Sequence, residues 1–449
     1  MRMKNIPRAY KLEGKWKYGE PIMILGNTLV AGAGPVGIQT SQIMAPLSQK
    51  IALIGKSSPQ WENRQRLIKQ HGYVVCCEVN EPQLATLVGL VKFNELYTEL
   101  SPLPSSWDTL VLATPAHAYC DVLSSFSEIL LKNLKQIILM SSMLGGCLIL
   151  EGMLKKKGAS PNIMLFSSYF ATSYFTSNPT DKNRVLTVRT KTVKKRVYIY
   201  QSKSNDGLLS ALRNALEKID VQVIPLDNSF SVEGRNIATY VHPAFIINTF
   251  SLDHMLSKED EVKYMYKLYP EGPITMSSIR DLLLHWKSVS RLLEHYSAQP
   301  INLLQLLNDE HHRVHEKTIP KDKIVSFNEL DEIEQEYLLY IRYSTILIDP
   351  DPFSKGKTFE VSAKPYIKVK GKVRKGRLLL PRTPLEDLQT LYWLNHLVQS
   401  SSLISSVTFP SIEVFENWIK ERNLPNTLIQ ALKQRAKEYY EYATPSISP

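Results

Sequence analysis

The feature of this sequence that most constrains its fold is the stretch LVAGAGPVGIQ at residues 29–39. An apolar run leads into Gly32, Gly34 and Gly37, which have the spacing G-x-G-x-x-G, and residues suited to a helix follow. In such a turn the first glycine permits a tight bend, the second lets the backbone approach a pyrophosphate, and the third lets the helix pack closely on its strand. The start of the helix also favours an anion. We therefore predict a dinucleotide-binding turn formed by Gly32, Gly34, Pro35, Val36 and Gly37.

The residues after this turn support a unit of strand, turn, helix and strand. Residues 39–47 can form a short helix, and residues 50–55 are a second apolar, β-prone run. The whole unit spans about 30 residues, which is the length expected of a dinucleotide-binding βαβ unit. An ordinary glycine turn in another kind of α/β protein remains the alternative.

The residues that follow the second predicted strand indicate which dinucleotide is bound. Proteins that bind NAD commonly place Asp or Glu there, whereas a 2′-phosphate needs cations. Here the strand is followed by Lys56, Ser57 and, shortly after, Arg64 and Arg66, with no carboxylate at the strand tip. We therefore expect Lys56, Ser57 and Arg64 to bind NADPH, with NADH as the alternative cofactor. Solvated helix residues are the other interpretation of the two arginines.

From this unit to about residue 230, apolar runs alternate with helical patterns. The runs lie at residues 73–79, 109–115, 136–142 and 162–168. This alternation predicts an α/β fold with a Rossmann-type, doubly wound parallel sheet. Since ligands bind at the carboxyl ends of such strands, we expect Thr114 and Pro115 to contact the cofactor. Two further runs, at 185–190 and 196–200, flank a basic stretch and are expected to pair as neighbouring strands.

Beyond residue 230 long helical patterns dominate, so the chain is predicted to have two domains after an N-terminal extension. The expected ranges are residues 1–26 for the extension, 27–230 for the NADP-binding domain, and 231–449 for a mostly α-helical catalytic and dimerisation domain. A chain of 449 residues is long enough for two domains. Within the second domain we expect helices at 244–256 and 411–442, among others, and a hairpin within 359–380.

Candidate catalytic residues lie in the second predicted domain. His242 directly precedes Pro243 at an apparent helix start, where an imidazole can act as a general acid or base. Asp349 ends a helical pattern before Pro350, and a carboxylate there is better placed if it faces a cation such as protonated His242. A structural histidine and a turn-forming aspartate are the alternatives.

Two other residues of this domain are candidates for substrate binding. Arg342 is two helical turns before Asp349 on the same face and could clamp a carboxylate through two hydrogen bonds. Glu271 lies in a proline-rich loop before a helix, where it could orient a ligand or cap that helix.

Composition narrows the class of partner. The formal net charge is +11, but the cations are spread along the chain and no nucleic-acid-binding module accompanies them, so no nucleic-acid partner is expected. The four cysteines lack metal-ligand spacing, and the histidine-rich stretch at 311–315 is better explained as a polar linker than as a metal site. No apolar segment approaches the length of a membrane span. We expect a cytoplasmic protein with no bound metal and no membrane partner.

Several segments together resemble the opine dehydrogenases that make metallophores for metal acquisition, the staphylopine, pseudopaline and yersinopine synthases. The resemblance covers roughly residues 27–440. Its segments are AGAGPV at 31–36, TYVHPAF at 239–245, YKLYPEGPIT at 266–275, EYLLYIRY at 336–343 and ILIDP at 346–350.

The resemblance implies a homodimer that condenses an amine with a 2-oxo acid and reduces the resulting imine with NADPH. The implied amine is a nicotianamine-like aminobutyryl-histidine, supplied by a nicotianamine-synthase-like enzyme, and the oxo acid is pyruvate or 2-oxoglutarate. His242 matches the catalytic histidine of opine dehydrogenases, and Asp349 is the best match to its aspartate partner. The seven-residue spacing to Arg342 is longer than in the family. The expected substrate-binding residues are Arg342, Tyr169, Thr172, Arg235, Asn236 and Glu271.

Two other functions fit the same architecture. One is another NAD(P)-dependent dehydrogenase, acting on a 2-hydroxy acid or a polyol without any amine. The other is a non-catalytic NADPH sensor, which would bind the cofactor without turning it over.

Overall fold

The computed structural model describes residues 23–99, 101–176, 185–257, 263–310, 313–348, 365–400 and 407–447. These residues form two compact units. The first unit contains the chain up to Ser142 together with Met153–Asp227, and the second contains Met143–Gly152 and the chain from Asn228 onward. Residues 1–22 of the predicted extension lie outside the described residues.

The first unit contains two β-sheets. Its strands are β1 (Gly26–Ala31), β2 (Ser48–Gly55), β3 (Val74–Val79), β4 (Gly89–Lys92), β5 (Glu95–Thr98), β6 (Thr109–Leu112), β7 (Gln136–Leu139), β8 (Asn162–Phe166), β9 (Ala171–Phe175), β10 (Thr187–Val193), β11 (Arg196–Gln201) and β12 (Gln222–Pro225). Among the described residues, eight strands form the larger sheet in the order β12-β11-β8-β7-β6-β1-β2-β5. All neighbouring pairs in this sheet are parallel except β8 and β11. The predicted α/β fold with a Rossmann-type sheet is therefore confirmed.

The centre of the larger sheet is mostly apolar, as expected of parallel strands that are buried on both faces. Every residue of β6, β7 and β8 is buried. The helices in this part of the chain are α1 (Pro35–Met44), α2 (Pro59–Gln70), α3 (Tyr119–Ser124), α4 (Glu128–Asn133), α5 (Gly146–Lys156) and α6 (Asp206–Glu217).

The pairing expected between the runs at 185–190 and 196–200 is wrong. Strand β10 pairs with β3 and β9 in a second sheet, of order β4-β3-β10-β9, whereas β11 pairs with β8 and β12 in the larger one. Strand β3, which was also expected in the parallel sheet, lies in the second sheet. The reason is burial: β9 and β10 pack on α1, and Val188 and Thr190 of β10 are fully buried. Packing between segments this far apart in the chain cannot be predicted from the local sequence pattern.

The second unit is mostly helical, as its sequence predicted. Its helices are α7 (Ser229–Glu233), α8 (Ala238–Ile246), α9 (Thr249–Leu256), α10 (Met276–His295), α11 (Leu303–Glu310), α12 (Lys321–Val325), α13 (Glu332–Ile348), α14 (Arg382–Ser400), α15 (Pro410–Glu421) and α16 (Thr427–Ile447), and its strands are β13 (Lys372–Arg374) and β14 (Arg377–Leu379). The long helices expected at 244–256 and 411–442 are each two helices. In the first case α9 begins anew because the Asn248 side chain accepts from the Ser251 N–H. The hairpin lies at the end of its predicted range, of which residues 359–364 are outside the description.

None of the helices in the described parts of the chain has both the length and the apolar character that crossing a bilayer requires.

Glu233 connects two distant segments of the second unit. Its carboxylate is fully buried and accepts the backbone N–H groups of Gly145 and Cys147, each at 2.7 Å. Trp393 also donates its indole N–H to the carbonyl of Leu144 at 3.1 Å. Helix α5 therefore starts on a carboxyl group supplied by a residue more than 80 positions away, whose oxygens accept N–H groups that have no partner within the helix. These contacts place residues 143–152 in the second unit.

Replacing Glu233 tests how this carboxylate contributes to stability. Burial raises the pKa of Glu233 to about 8, although the N–H groups of Cys147 and Gly145 act in the opposite direction. The folded state therefore holds this proton more tightly than the unfolded state, and the free energy of unfolding should fall as pH rises from about 4.5 to about 8. The slope is on the order of 1.4 kcal/mol per pH unit. Glu233→Gln should remove this slope when urea unfolding is measured across that window. Parallel pH profiles for the two proteins would contradict the prediction.

Candidate active site

The glycine-rich turn joins β1 to α1 at the carboxyl edge of the larger sheet. Gly32 has a φ of +125°, and a Cβ there would lie 2.5 Å from the carbonyl oxygen of Ala113 at the end of β6. A Cβ on Gly37 would lie 1.8 Å from the carbonyl oxygen of Gly32. By contrast, nothing lies within 4 Å of a Cβ built on Gly34, the residue before the first turn of α1. Backbone atoms therefore pack tightly against Gly32 and Gly37, whereas the space beside Gly34 is open. Close approach of a pyrophosphate to the turn requires such an open space.

Pro35 and Val36 form the first turn of α1, and no side chain caps its N–H groups. At the end of the neighbouring strand β6, the hydroxyl of Thr114 is buried and has no hydrogen-bond partner among the described residues. Pro115 follows it, three residues after the end of β6. An unpartnered buried hydroxyl beside the glycine-rich turn fits a site that accepts a polar ligand.

Arg64 lies against this turn from helix α2. Its guanidinium Nη1 donates to the carbonyl of Ala33 at 3.3 Å, and its Cζ atom lies 4.3 Å from the ring centroid of Phe175. Burial lowers the pKa of this guanidinium, but arginine keeps its charge in proteins. Lys56 and Ser57 are exposed just beyond β2. One cation held on the turn and another close to it in sequence are suited to a phosphate group.

Arg66, the other candidate cation, is exposed and donates to the side chain of Asn63 at 2.5 Å. Of the two arginines, only Arg64 therefore contacts the turn. The local sequence could not show which of the two would do so.

The second unit contains a histidine–aspartate pair. His242 Nδ1 lies 3.2 Å from Asp387 Oδ1, and the two side chains are 21% and 14% exposed. His242 lies inside α8, not at a helix start as expected, because the helix continues through Pro243. The ring of Tyr266 lies 6.3 Å from that of His242, and burial together with Asp387 raises the pKa of its hydroxyl. The pair can hold an imidazole in one orientation and stabilise its charged form.

Asp387 was missed by the sequence reasoning. It follows Glu386 in a charged stretch of α14, 145 residues after His242, and nothing local distinguishes it from a solvated helix residue. Asp349, the predicted partner, lies outside the described residues. Its pairing with His242 stays a prediction.

The predicted substrate-binding arginine is buried. Arg342 is 4% exposed, donates from Nη2 to the carbonyl of Leu307 at 2.6 Å and lies 5.1 Å from the ring centroid of Tyr343. Leu307 is in the last turn of α11, whose carbonyl groups lack helical partners. In this structure Arg342 therefore supports the end of a helix. Burial lowers the pKa of its guanidinium.

Two further candidates lie in the first unit. Tyr169 is largely buried, with its hydroxyl 3.1 Å from that of Ser173, and burial raises its pKa. Thr172 is exposed on β9.

The other candidates lie in the second unit. Arg235 and Asn236 are half-buried in the link between α7 and α8, where the Asn236 side chain accepts from the Ala238 N–H at 3.2 Å. Glu271 is exposed and pairs with Lys267 at 2.5 Å. It does not cap α10, since Thr275 does so.

A glycine-rich turn on a mostly parallel sheet, in a chain that also holds a histidine–aspartate pair, is typical of nucleotide-dependent dehydrogenases. The protein-family model described as staphylopine dehydrogenase matches residues 26–435, and the chain belongs to that family. The resemblance identified from the sequence is thus confirmed, and the chain is an opine dehydrogenase that uses NAD(P)H.

Individual relatives agree with this assignment. The chain is 34% identical over 372 residues to pseudopaline synthase of Pseudomonas aeruginosa (strain UCBPP-PA14), covering 82% of this chain and 84% of the relative. It is 32% identical over 396 residues to staphylopine synthase of Staphylococcus aureus (strain Mu50 / ATCC 700699), covering 87% and 89%. A solved structure of yersinopine dehydrogenase with NADP+ bound superposes with a TM-score of 0.80 at 24% identity, covering 93% of this chain and 99% of that one. The fold is shared with that structure.

Gly37→Ala tests the turn directly. Because the added methyl group would lie 1.8 Å from the Gly32 carbonyl, helix α1 must move away from β1, and the N–H groups at its start must shift with it. We expect NADPH affinity, measured by fluorescence titration, to fall by about 10-fold or more, since displaced hydrogen bonds to a charged group cost about 1.5–3 kcal/mol each. Gly72→Ala is the control, because a Cβ there meets nothing within 4 Å although its φ is +69°. Unchanged affinity in Gly37→Ala would exclude the turn as the binding site.

Proposed function

We propose that this protein is an opine metallophore synthase, which condenses an amine with a 2-oxo acid and reduces the imine with NADPH. The observation that carries the proposal is the His242–Asp387 pair in a chain of the staphylopine dehydrogenase family. The proposed amine is a nicotianamine-like aminobutyryl-histidine, and the oxo acid is pyruvate or 2-oxoglutarate. We further propose that the enzyme is a cytoplasmic homodimer that receives its amine from a nicotianamine-synthase-like enzyme.

The proposed cofactor site is the glycine-rich turn of the first unit. The N–H groups at the start of α1 would hold the pyrophosphate, and Thr114 and Pro115 would flank the cofactor at the end of β6. Arg64, whose guanidinium lies on the Ala33 carbonyl, would face the 2′-phosphate together with Lys56 and Ser57. When bound, NADPH supplies the hydride that reduces the imine carbon. The solved yersinopine dehydrogenase structure, in which NADP+ is bound, supports this choice over NADH.

His242 is proposed as the proton carrier. Condensation of an amine with a keto group first gives a carbinolamine, whose hydroxyl must be protonated before it leaves as water. Asp387 engages Nδ1 of His242, so the Nε2 atom exchanges the proton with the substrate. The Asp387 carboxylate stabilises the imidazolium that exists before this transfer and fixes the ring orientation. Arg342, Tyr169, Thr172, Arg235, Asn236 and Glu271 remain proposed contacts for the two substrates.

The reaction itself is tested by following NADPH absorbance with a synthetic aminobutyryl-histidine and either oxo acid. We expect NADPH consumption only when amine and oxo acid are both present, because the imine is the species that accepts hydride. The oxo acid that supports turnover identifies the second substrate. Consumption with oxo acid alone would establish a hydroxy-acid dehydrogenase. Tight NADPH binding without any consumption would contradict the proposed reaction and favour the alternative of a non-catalytic NADPH sensor.

Substitution of the pair separates its two roles. His242→Gln should lower turnover by about 10²–10⁴-fold, because a glutamine cannot carry the proton. Asp387→Asn should give a turnover between that variant and the wild type, since the imidazole remains but its charged form loses its partner. Matched controls are His254→Gln, a half-buried histidine of α9, and Glu386→Gln, the neighbour of Asp387 that bonds Arg382.

Asp349→Asn, measured in parallel, decides between the two aspartates. Full turnover in that variant assigns the partner role to Asp387. If Asp349→Asn loses turnover while Asp387→Asn stays fully active, the proposed role of Asp387 as the partner of His242 is refuted.

A further inference from the structure

Pro243 interrupts the hydrogen-bond ladder of α8 directly after His242. In an α-helix the N–H of residue 243 would donate to the carbonyl of Thr239, four residues earlier. Proline has no N–H, so it cannot make this bond. The carbonyl of Thr239 therefore needs another donor, because a buried carbonyl without one costs free energy. It lies one helical turn before His242, on the segment that orients that side chain.

His285 supplies this donor from the neighbouring helix. Its Nε2 lies 2.8 Å from the carbonyl oxygen of Thr239, and the residue is only 3% exposed. Burial also lowers the pKa of His285 to about 4, which keeps the ring neutral near pH 7. A neutral imidazole that donates from Nε2 carries its proton on that atom. The ring thus takes the place of the missing N–H of Pro243.

Helix α8 is held on two sides by residues from different helices. It packs against α10, which carries His285, and against α14, which carries Asp387. The Ser411 hydroxyl also donates to the carbonyl of Pro243 at 3.3 Å. The turn from Thr239 to Pro243 is therefore fixed by contacts from outside the helix, and His242 lies within it.

We propose that His285 is a positioning residue, whose hydrogen bond to the Thr239 carbonyl fixes the proline-interrupted turn of α8 and so aims His242 at Asp387. The effect on turnover rests on the proposed function of His242. The hydrogen bond itself does not, and it can be measured without any substrate.

The test is a double-mutant cycle between His285 and Pro243. His285→Phe keeps an aromatic ring and removes the donor, whereas His285→Gln keeps an N–H donor. Each is made in the wild type and in Pro243→Ala, a substitution that restores a backbone N–H at position 243, and this N–H can itself donate to Thr239. Turnover, the KM values and the melting temperature are measured for all six proteins.

In the wild-type background, His285→Phe should lower kcat by about 10–100-fold with KM values nearly unchanged, since misplacing a reacting group by about 1 Å costs about 100-fold. His285→Gln should stay within a few-fold of the wild type. In the Pro243→Ala background, His285→Phe should cost much less in both kcat and melting temperature, because the helix then makes its own bond.

Trp286→Phe is the matched control on the same helix. Its indole N–H donates to the buried carbonyl of Ile301 at the same distance, 2.8 Å, but that carbonyl is not in α8. This variant should have a lower melting temperature without a specific decrease in kcat. The decrease in melting temperature should be the same in the wild-type and Pro243→Ala backgrounds. Equal costs of His285→Phe in the two backgrounds would overturn the proposal.

A second measurement uses the unaltered protein and covers the case in which His285→Phe does not fold. Nitrogen NMR of ¹⁵N-histidine-labelled protein, with His285→Gln to assign the signal, should show a neutral His285 ring protonated on Nε2. A ring protonated on Nδ1 alone would overturn the proposal. If this signal is as expected while no amine and oxo acid support turnover, the proposed function fails and the positioning bond stands.

Discussion

The first unit depends on how closely α1 approaches the strand that precedes it. The carbonyl of Gly32 occupies the space in which a side chain on residue 37 would begin. No larger residue fits at position 37 without moving the helix. Helix α1 can lie this close to β1 because Gly37 has no Cβ atom. The same closeness brings the start of α1 next to the end of β6, where Ala113 leaves no room for a side chain on Gly32. The positive end of the α1 dipole and the open space beside Gly34 therefore lie next to each other at one edge of the sheet.

The second unit relies on polar bonds between segments that are far apart in the chain. Glu233 accepts two N–H groups at the start of α5, and His285 donates to a carbonyl that a proline has left without its helical donor. Each is a buried polar side chain that completes a backbone hydrogen bond of another element. Since an unmade bond of this kind costs about 1–3 kcal/mol, such contacts specify which helices lie next to one another as well as stabilising them.

Local patterns in the sequence predicted those features that depend on a few neighbouring residues. The glycine-rich turn is of this kind, because its backbone geometry and its close contact with the strand require glycine at set positions. His242 could also be predicted locally, because it directly precedes a proline in a segment that resembles a known family. The strand pairing of β10 and the choice of Asp387 depend instead on which distant element packs nearby. A single sequence holds no signal for either, since Asp387 resembles any charged helix residue and β10 resembles half of a hairpin.

The second unit takes ten residues, Met143–Gly152, from the middle of the chain that otherwise builds the first. Neither unit therefore corresponds to one uninterrupted stretch of the gene. A fragment ending at Asp227 would contain Gly145 and Cys147 but not the carboxylate of Glu233, and it would contain Leu144 but not Trp393. Cutting the chain after Asp227 would therefore leave the N–H groups of Gly145 and Cys147 and the carbonyl of Leu144 without these partners, so no single cut separates the first unit from the second.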